Sequence, residues 1–276
     1  SYHFFKEYSL RPMSGISHSE TLYCNENGYY VFYESDRYGF RNLDSNWENK
    51  NEIMILGDSF AHGSCINDEI IISNLLNFNT LNLSYVGMGP LSQLATLKEY
   101  YPSVKPEIVL WFYSEGNDLF NLGFELKDKT LKKYLNKEKF SQQLVNRQKE
   151  IDKTNIKILE NEIANFKKEH FRKYKKFVKL TELRLLSVER LSKKKIEKEF
   201  SYTKHLGNFE EILLKAKNYL DLQNTKLIFV YTPQVYRYMN SENQIKMKHY
   251  LQDYQKVIEI LERNKINYFD LHKNIL

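Results

Sequence analysis

Residues that interrupt regular structure are scarce in this chain. Ten glycines and five prolines serve 276 residues, with no glycine between 124 and 206 and no proline between 107 and 232. Such scarcity argues against a loop-rich scaffold, and the unbroken stretch, rich in Lys, Glu, Leu and Asn, reads as helix. Long apolar runs are missing too. Ile108–Tyr113 is among the longest, far short of the roughly 18 residues that a membrane span needs. The two cysteines, Cys24 and Cys65, are too few for a zinc site, and neither HExxH nor CxxC occurs, so neither a metal nor a cofactor is expected. Counting leaves one disulfide or two buried thiols open, the thiols favoured.

What the chain does have is apolar mass and unevenly placed charge. Hydrophobic residues make up 42%, with 21 tyrosines and 17 phenylalanines, enough for a sizeable core. The net charge is +6, yet 23 of the 41 basic residues and only 12 of the 35 acidic ones lie in Asn121–Phe200. The rest of the chain is therefore acidic, and the basicity belongs to one segment. The simplest reading of that segment is a solvated helical face. A sharper one is a lid over the functional end of the fold, its charge turned to a membrane or an anionic glycan. Nucleic acid is not an expected partner, because no recognition module is present and the positive charge is interleaved with acids.

Five short runs rich in β-branched and aromatic residues read as buried strands: Glu52–Leu56, Thr80–Leu83, Glu107–Tyr113, Lys226–Tyr231 and Ile266–Leu271. Helical stretches fall between them at Asp68–Leu76, Leu91–Tyr101, Asn208–Leu222 and Ser241–Asn264, the last opening with a capping box, Ser241-Glu-Asn-Gln244. Leu144, Ile151 and Ile158 repeat at seven, and Ile163 and Phe166 continue at helical offsets. Alternating strands and helices predict an α/β fold: a three-layer α/β/α sandwich on a central, mostly parallel five-stranded sheet with an inserted helical arm. The corresponding divisions are an N-terminal extension over 1–50 packing on the core, the core itself over 51–121 and 204–276, and a basic helical insertion over 122–203.

Functional groups in such sheets gather at the carboxyl ends of the strands. Gly57, Asp58 and Ser59 follow the first run, Ser84–Pro90 (SYVGMGP) follows the second, and Ser114–Asp118 (SEGND) follows the third. A hydroxyl, a glycine turn and a carboxamide are what acyl transfer requires: a nucleophile and donors for the developing oxyanion. The structural alternative is that Ser59 caps a helix, that Asn117 caps the turn after the third run, that Asp118 caps the next helix, and that Asp58 is a structural hydrogen-bonding residue rather than an acid. His62, three residues after Ser59, would sit on the same turn and point away. His3, His18, His170, His205 and His249 show no partner pattern.

GDSF at Gly57–Phe60, the glycine of NLSYVG at Asn82–Gly87 and GND at Gly116–Asp118 resemble the first three blocks of the SGNH, or GDSL, hydrolase superfamily, in the same order on successive strands. The resemblance covers about 51–121 and 204–276. It implies a flavodoxin-like sheet and a serine-dependent esterase or acyltransferase acting on acylated small molecules or glycans, plausibly on O-acetyl groups. Ser59 would be the nucleophile, with Gly87 (or Gly89) and Asn117 as oxyanion donors. The family's base is a histidine in a DxxH block. Asp270-Leu271-His272 is one residue too tight for that pattern and closes the fifth run, so the catalytic Asp–His pair is expected past Leu276, and Asp270 and His272 are weak substitutes. The stretch Cys24–Asn42 is similar to an uncharacterised subgroup of bacterial members that are exported or anchored. That likeness implies an extracytoplasmic home, a leader or anchor before Ser1, and a Cys24–Cys65 disulfide.

Overall fold

A computed structural model describes residues 10–26, 28–178, 202–238 and 253–275. A small antiparallel hairpin, β1 (Glu20–Cys24) and β2 (Val31–Glu34), precedes a sheet of β3 (Ile53–Leu56), β4 (Thr80–Asn82), β5 (Ile108–Ser114), β6 (Lys226–Thr232) and β7 (Asn267–Asp270). The sheet runs in the order β4-β3-β5-β6-β7, and every neighbouring pair is parallel. All five predicted strands form, and the sheet is wholly rather than mostly parallel. The order corresponds to the flavodoxin-like doubly wound arrangement, in which strand order reverses between the first and third strands of the sheet, here β3 and β5.

Strands covered on both sides are apolar at consecutive positions. All four residues of β3 are buried. Met54 and Leu56 join the larger core, with Trp111, Leu94 and Ile212, whereas Ile53 and Ile55 join a smaller one with Ala61, Phe112 and Val230. The helices are α1 (Ser59–His62), α2 (Ile72–Leu75), α3 (Pro90–Val104), α4 (Asp118–Glu125), α5 (Lys129–Asn136), α6 (Gln148–Val178), α7 (Leu206–Asp221), α8 (Asp253–Arg263) and α9 (Leu271–Ile275). Residues of α3, α4, α5, α7 and α8 build the larger core, while Ala61 of α1, Ile72 of α2 and Leu271 of α9 build the smaller one. The result is three layers, one thick and one thin.

Three expectations about elements change. The helix predicted over 68–76 is a 3-10 turn, Asp68–Ile70, and the single turn α2. Ile71 between them is extended, at φ −72° and ψ 149°, and buried, so burying one side chain breaks the helix. α3 runs through Pro102, in its last turn, and forgoes the hydrogen bond that an N–H there would give the Lys98 carbonyl. Much of 122–151 belongs to the core rather than to a separate arm: Leu131, Tyr134, Leu135, Leu144 and Ile151 are all buried in it. Glu99 of α3 draws this segment in, accepting from the Tyr134 hydroxyl, from Ser141 Oγ at 3.0 Å and from the Leu144 amide at 2.8 Å. Farther along α6, Ile163 and Phe166 are exposed. Residues 179–201, with much of the basic segment, lie outside the described residues, as does the capping box at Ser241.

The stretch before β3 is tied to the core through Asp36 and Asn42. Buried Asp36 accepts from the Tyr38 and Phe40 amides, Asn42 Nδ2 and Trp47 Nε1. Asn42 in turn donates to the Asn82 carbonyl at 3.0 Å and accepts from the Asn82 amide at 2.8 Å. Its carboxamide thereby mimics one residue of a further strand and covers the exposed edge of β4.

Candidate active site

The turn from β3 into α1 is tight. A Cβ on Gly57 would stand 2.6 Å from Ala61 Cβ and 2.9 Å from Phe112 Cβ, so only glycine lets α1 lie against β5. Asp58 caps α1: its Oδ1 accepts from the Phe60 amide at 2.9 Å. Ser59 opens the helix, half-buried, and among the described residues neither its hydroxyl nor its amide makes a hydrogen bond. The cap is therefore the aspartate, which leaves the serine unoccupied.

Asp58 also reaches across to β5. Its Oδ1 accepts from Ser114 Oγ at 2.9 Å and its Oδ2 from Asn117 Nδ2 at 2.5 Å. Asn117 Oδ1 accepts from Asn121 Nδ2 at 3.3 Å. The Asn117 amide is thus held from both ends, and one of its two N–H bonds remains for a ligand. Burial pushes the Asp58 carboxyl upward, against which these three donors act. Behind it, Asp118 is raised well above the ordinary carboxylate range, first by burial and then by the neighbouring Asp58 and Glu125. Asp58 serves as an organiser with its oxygens taken, capping α1 and tying it to the end of β5.

The loop after β4 is drawn to the same end. The Tyr85 amide donates to the Gly57 carbonyl at 3.2 Å, carrying β4's course alongside the Ser59 turn. Gly87 follows, exposed and with φ +77°. Gly89 is placed differently. Its amide donates to Glu125 Oε1 at 2.8 Å, and a Cβ there would lie 2.8 Å from both Asn121 Cβ and Glu125 Oε2. Glu125, fully buried on α4, also accepts from the Leu91 and Ser92 amides, so it caps α3 from outside, where Pro90 supplies no donor. Gly89 is a close-approach residue, and its amide is committed to that cap.

Ser59, Gly87 and Asn117 therefore follow three adjacent strands at the switch point of the sheet. The histidines stand elsewhere. His62 is fully buried on α1, edge-on to Tyr33 at 5.3 Å and to Tyr85 at 5.9 Å. Burial, helped by Arg41, lowers its pKa to about 3. His272 follows β7, three strands from β3, a separation of roughly 14 Å across the sheet. Its Nδ1 lies 2.9 Å from the Tyr238 hydroxyl, and its amide donates to Asp270 Oδ1. Asp270 Oδ2 accepts from Tyr254. His18 is exposed, and His205 packs at Gly123. His3 and His249, and the side chain of His170, lie outside the described residues.

Cys24 and Cys65 form a disulfide, so the pairing holds and the thiol reading does not. Sequence reasoning missed several groups that shape this end of the molecule. Glu125 and Ser114 belong to no motif. Glu115, fully buried after β5, pairs with Arg237 after β6, and Arg237 lies 4.8 Å over the Tyr254 ring. Arg41 holds the turn after α1 through the Gly63 and Ile66 carbonyls, at 2.6 and 2.8 Å. Among the described residues no cluster of His, Cys, Asp and Glu could hold a metal. No helix is long and apolar enough to cross a membrane, again among the described residues. The chain matches no protein-family model and no curated protein.

Proposed function

We propose that this protein is a serine-dependent esterase or acyltransferase of the SGNH type, acting on an O-acyl group such as an O-acetyl group of a glycan. One observation carries the reading: an unoccupied serine beside a carboxamide that Asp58 and Asn121 hold in a fixed orientation. Ser59 Oγ attacks the acyl carbonyl while its proton passes to a base. The negative charge on the carbonyl oxygen is met by the Ser59 amide, the Gly87 amide and Asn117 Nδ2, each such donor being worth roughly 3–4 kcal/mol. The ester bond breaks, the proton goes to the departing sugar oxygen, and the acyl group stays on Ser59 until water or another hydroxyl takes it. The proton acceptor is not met among the described residues, since Asp58 is fully engaged, His62 is enclosed, and His272 is tied at the far strand. The Cys24–Cys65 disulfide fits an oxidising, extracytoplasmic setting.

Ser59→Ala should lower turnover of an aryl acetate by about a thousandfold or more while the circular dichroism spectrum stays unchanged. Assaying with and without added imidazole supplies an external base. Retained activity in the variant overturns the assignment. The second reading, a binding module without catalysis, draws on the same lack of a proton acceptor for Ser59 among the described residues. It predicts that neither wild-type protein nor imidazole rescue gives turnover.

A further inference from the structure

A cavity of about 280 Å³ opens against Gly87. Three distant stretches of chain wall it: Met13 and Ser14 of the N-terminal extension, the Tyr85–Met88 turn, and Asn155 and Ile158 of α6. These walls are bolted together independently of the sheet. Asn155 Nδ2 donates to the Ser14 carbonyl at 2.9 Å, and Ser17 bonds Asp152 through both its amide and its hydroxyl. The floor, by contrast, is the turn whose Tyr85 amide binds the Gly57 carbonyl, one residue before Asp58. An occupant of the cavity therefore lies beside the turn that carries Ser59.

The lining is informative about that occupant. Arg11 stands in the wall, but Asp128 at 2.8 Å neutralises it, so the cavity is not built for an anion. Apolar surface of Ile158 and the edges of the otherwise buried Met13 and Met88 are interspersed with the polar groups of Tyr85 and Asn155. Asn155 Oδ1 accepts no hydrogen bond among the described residues. An acyl chain would want the first kind of surface alone. A pyranose ring, with apolar C–H faces and hydroxyls around its rim, uses both. The volume lies at the lower end for small-molecule sites, suited to one ring rather than several.

We propose that this cavity receives a single neutral sugar ring, the alcohol side of the ester, and that Met13, Asn155 and Ile158 set its selectivity. The inference rests on the esterase or acyltransferase reading for its reaction, though not for its binding. Ile158→Trp narrows the cavity from its α6 wall and leaves Ser59, Gly87 and Asn117 themselves unaltered. It should reduce kcat/KM for an O-acetylated methyl glycoside by at least about tenfold, mainly through KM, and leave an aryl acetate within about twofold. Loss confined to an aryl octanoate would assign the cavity to the acyl chain and overturn the proposal, as would an unchanged profile.

Binding of the acetylated methyl glycoside to Ser59→Ala, followed by ligand-observed NMR, separates the two readings. Saturable binding that Ile158→Trp removes, where the wild-type protein turns over no ester, keeps the sugar site and discards the reaction. Absence of binding discards the site.

Discussion

His62 is a residue whose cost depends on pH. Its imidazole is enclosed by Tyr33 and Tyr85 and titrates near 3 in the folded protein, against about 6.5 in an unfolded chain. Between those values the unfolded state binds the extra proton, so stability is full above pH ~6.5 and falls as the pH drops toward 3. From pH 6.5 to 4.5 this one group should remove about 2 kcal/mol. His62→Phe keeps an aromatic ring there and should flatten that part of the curve, as read by urea unfolding at several pH values. Asp58, Asp118 and Glu125 have raised values and act in the opposite sense. They favour the folded state at low pH and lose that contribution as pH rises through their folded values, so the variant isolates their limb.

At the scale of elements, two glycines do different work. Gly57 lets α1 touch β5, and Gly89 lets α4 touch the start of α3. Gly89 has φ −105° and ψ −176°, a backbone any residue can adopt, so Gly89→Ala is a purely steric change. Asn121 Cβ and the capping carboxylate of Glu125 would both have to move, a cost of about 2 kcal/mol that thermal unfolding would reveal. A loss near zero would mean that the α3 cap is looser than its three hydrogen bonds imply.

The elements also differ in how plainly the sequence announces them. Ile53–Leu56 and Ile108–Tyr113 are apolar at consecutive positions because both faces of the sheet are covered, and nothing local competes with that signal. The β1–β2 hairpin was not anticipated: Leu22 and Phe32 pair across it on an exposed face, so its alternation carries no clean apolar side. The capture of 122–151 by Glu99 depends on partners remote in sequence. Periodicity cannot report such partners.

Across the whole molecule, legibility follows the sheet. The positions of Ser59, Gly87 and Asn117 at three strand ends could be read from the strands and their turns. What binds what at those ends could not: Asp58 to Asn117 spans 59 residues, and Gly89 to Glu125 spans 36. The disulfide could be drawn from resemblance but not from counting. It closes a 41-residue separation and joins β1 to the loop after α1, so replacing both cysteines with serine should lower stability by about 2–4 kcal/mol. Comparing denaturation midpoints of wild type and Cys24→Ser/Cys65→Ser tests this. An unchanged midpoint would mean that Arg41 and the Asp36 network hold the extension without the bond.

The side-chain amide of Asn42, bonded at both ends to the backbone of Asn82, has a bearing on self-association. A parallel sheet whose terminal strand is only three residues long offers a short template to a passing chain, and here part of that template is already occupied. Removing the amide, as in Asn42→Ala, would expose an N–H and a C=O on β4 to any extended peptide. The residue that docks the extension is then also one that keeps separate molecules from joining sheets edge to edge.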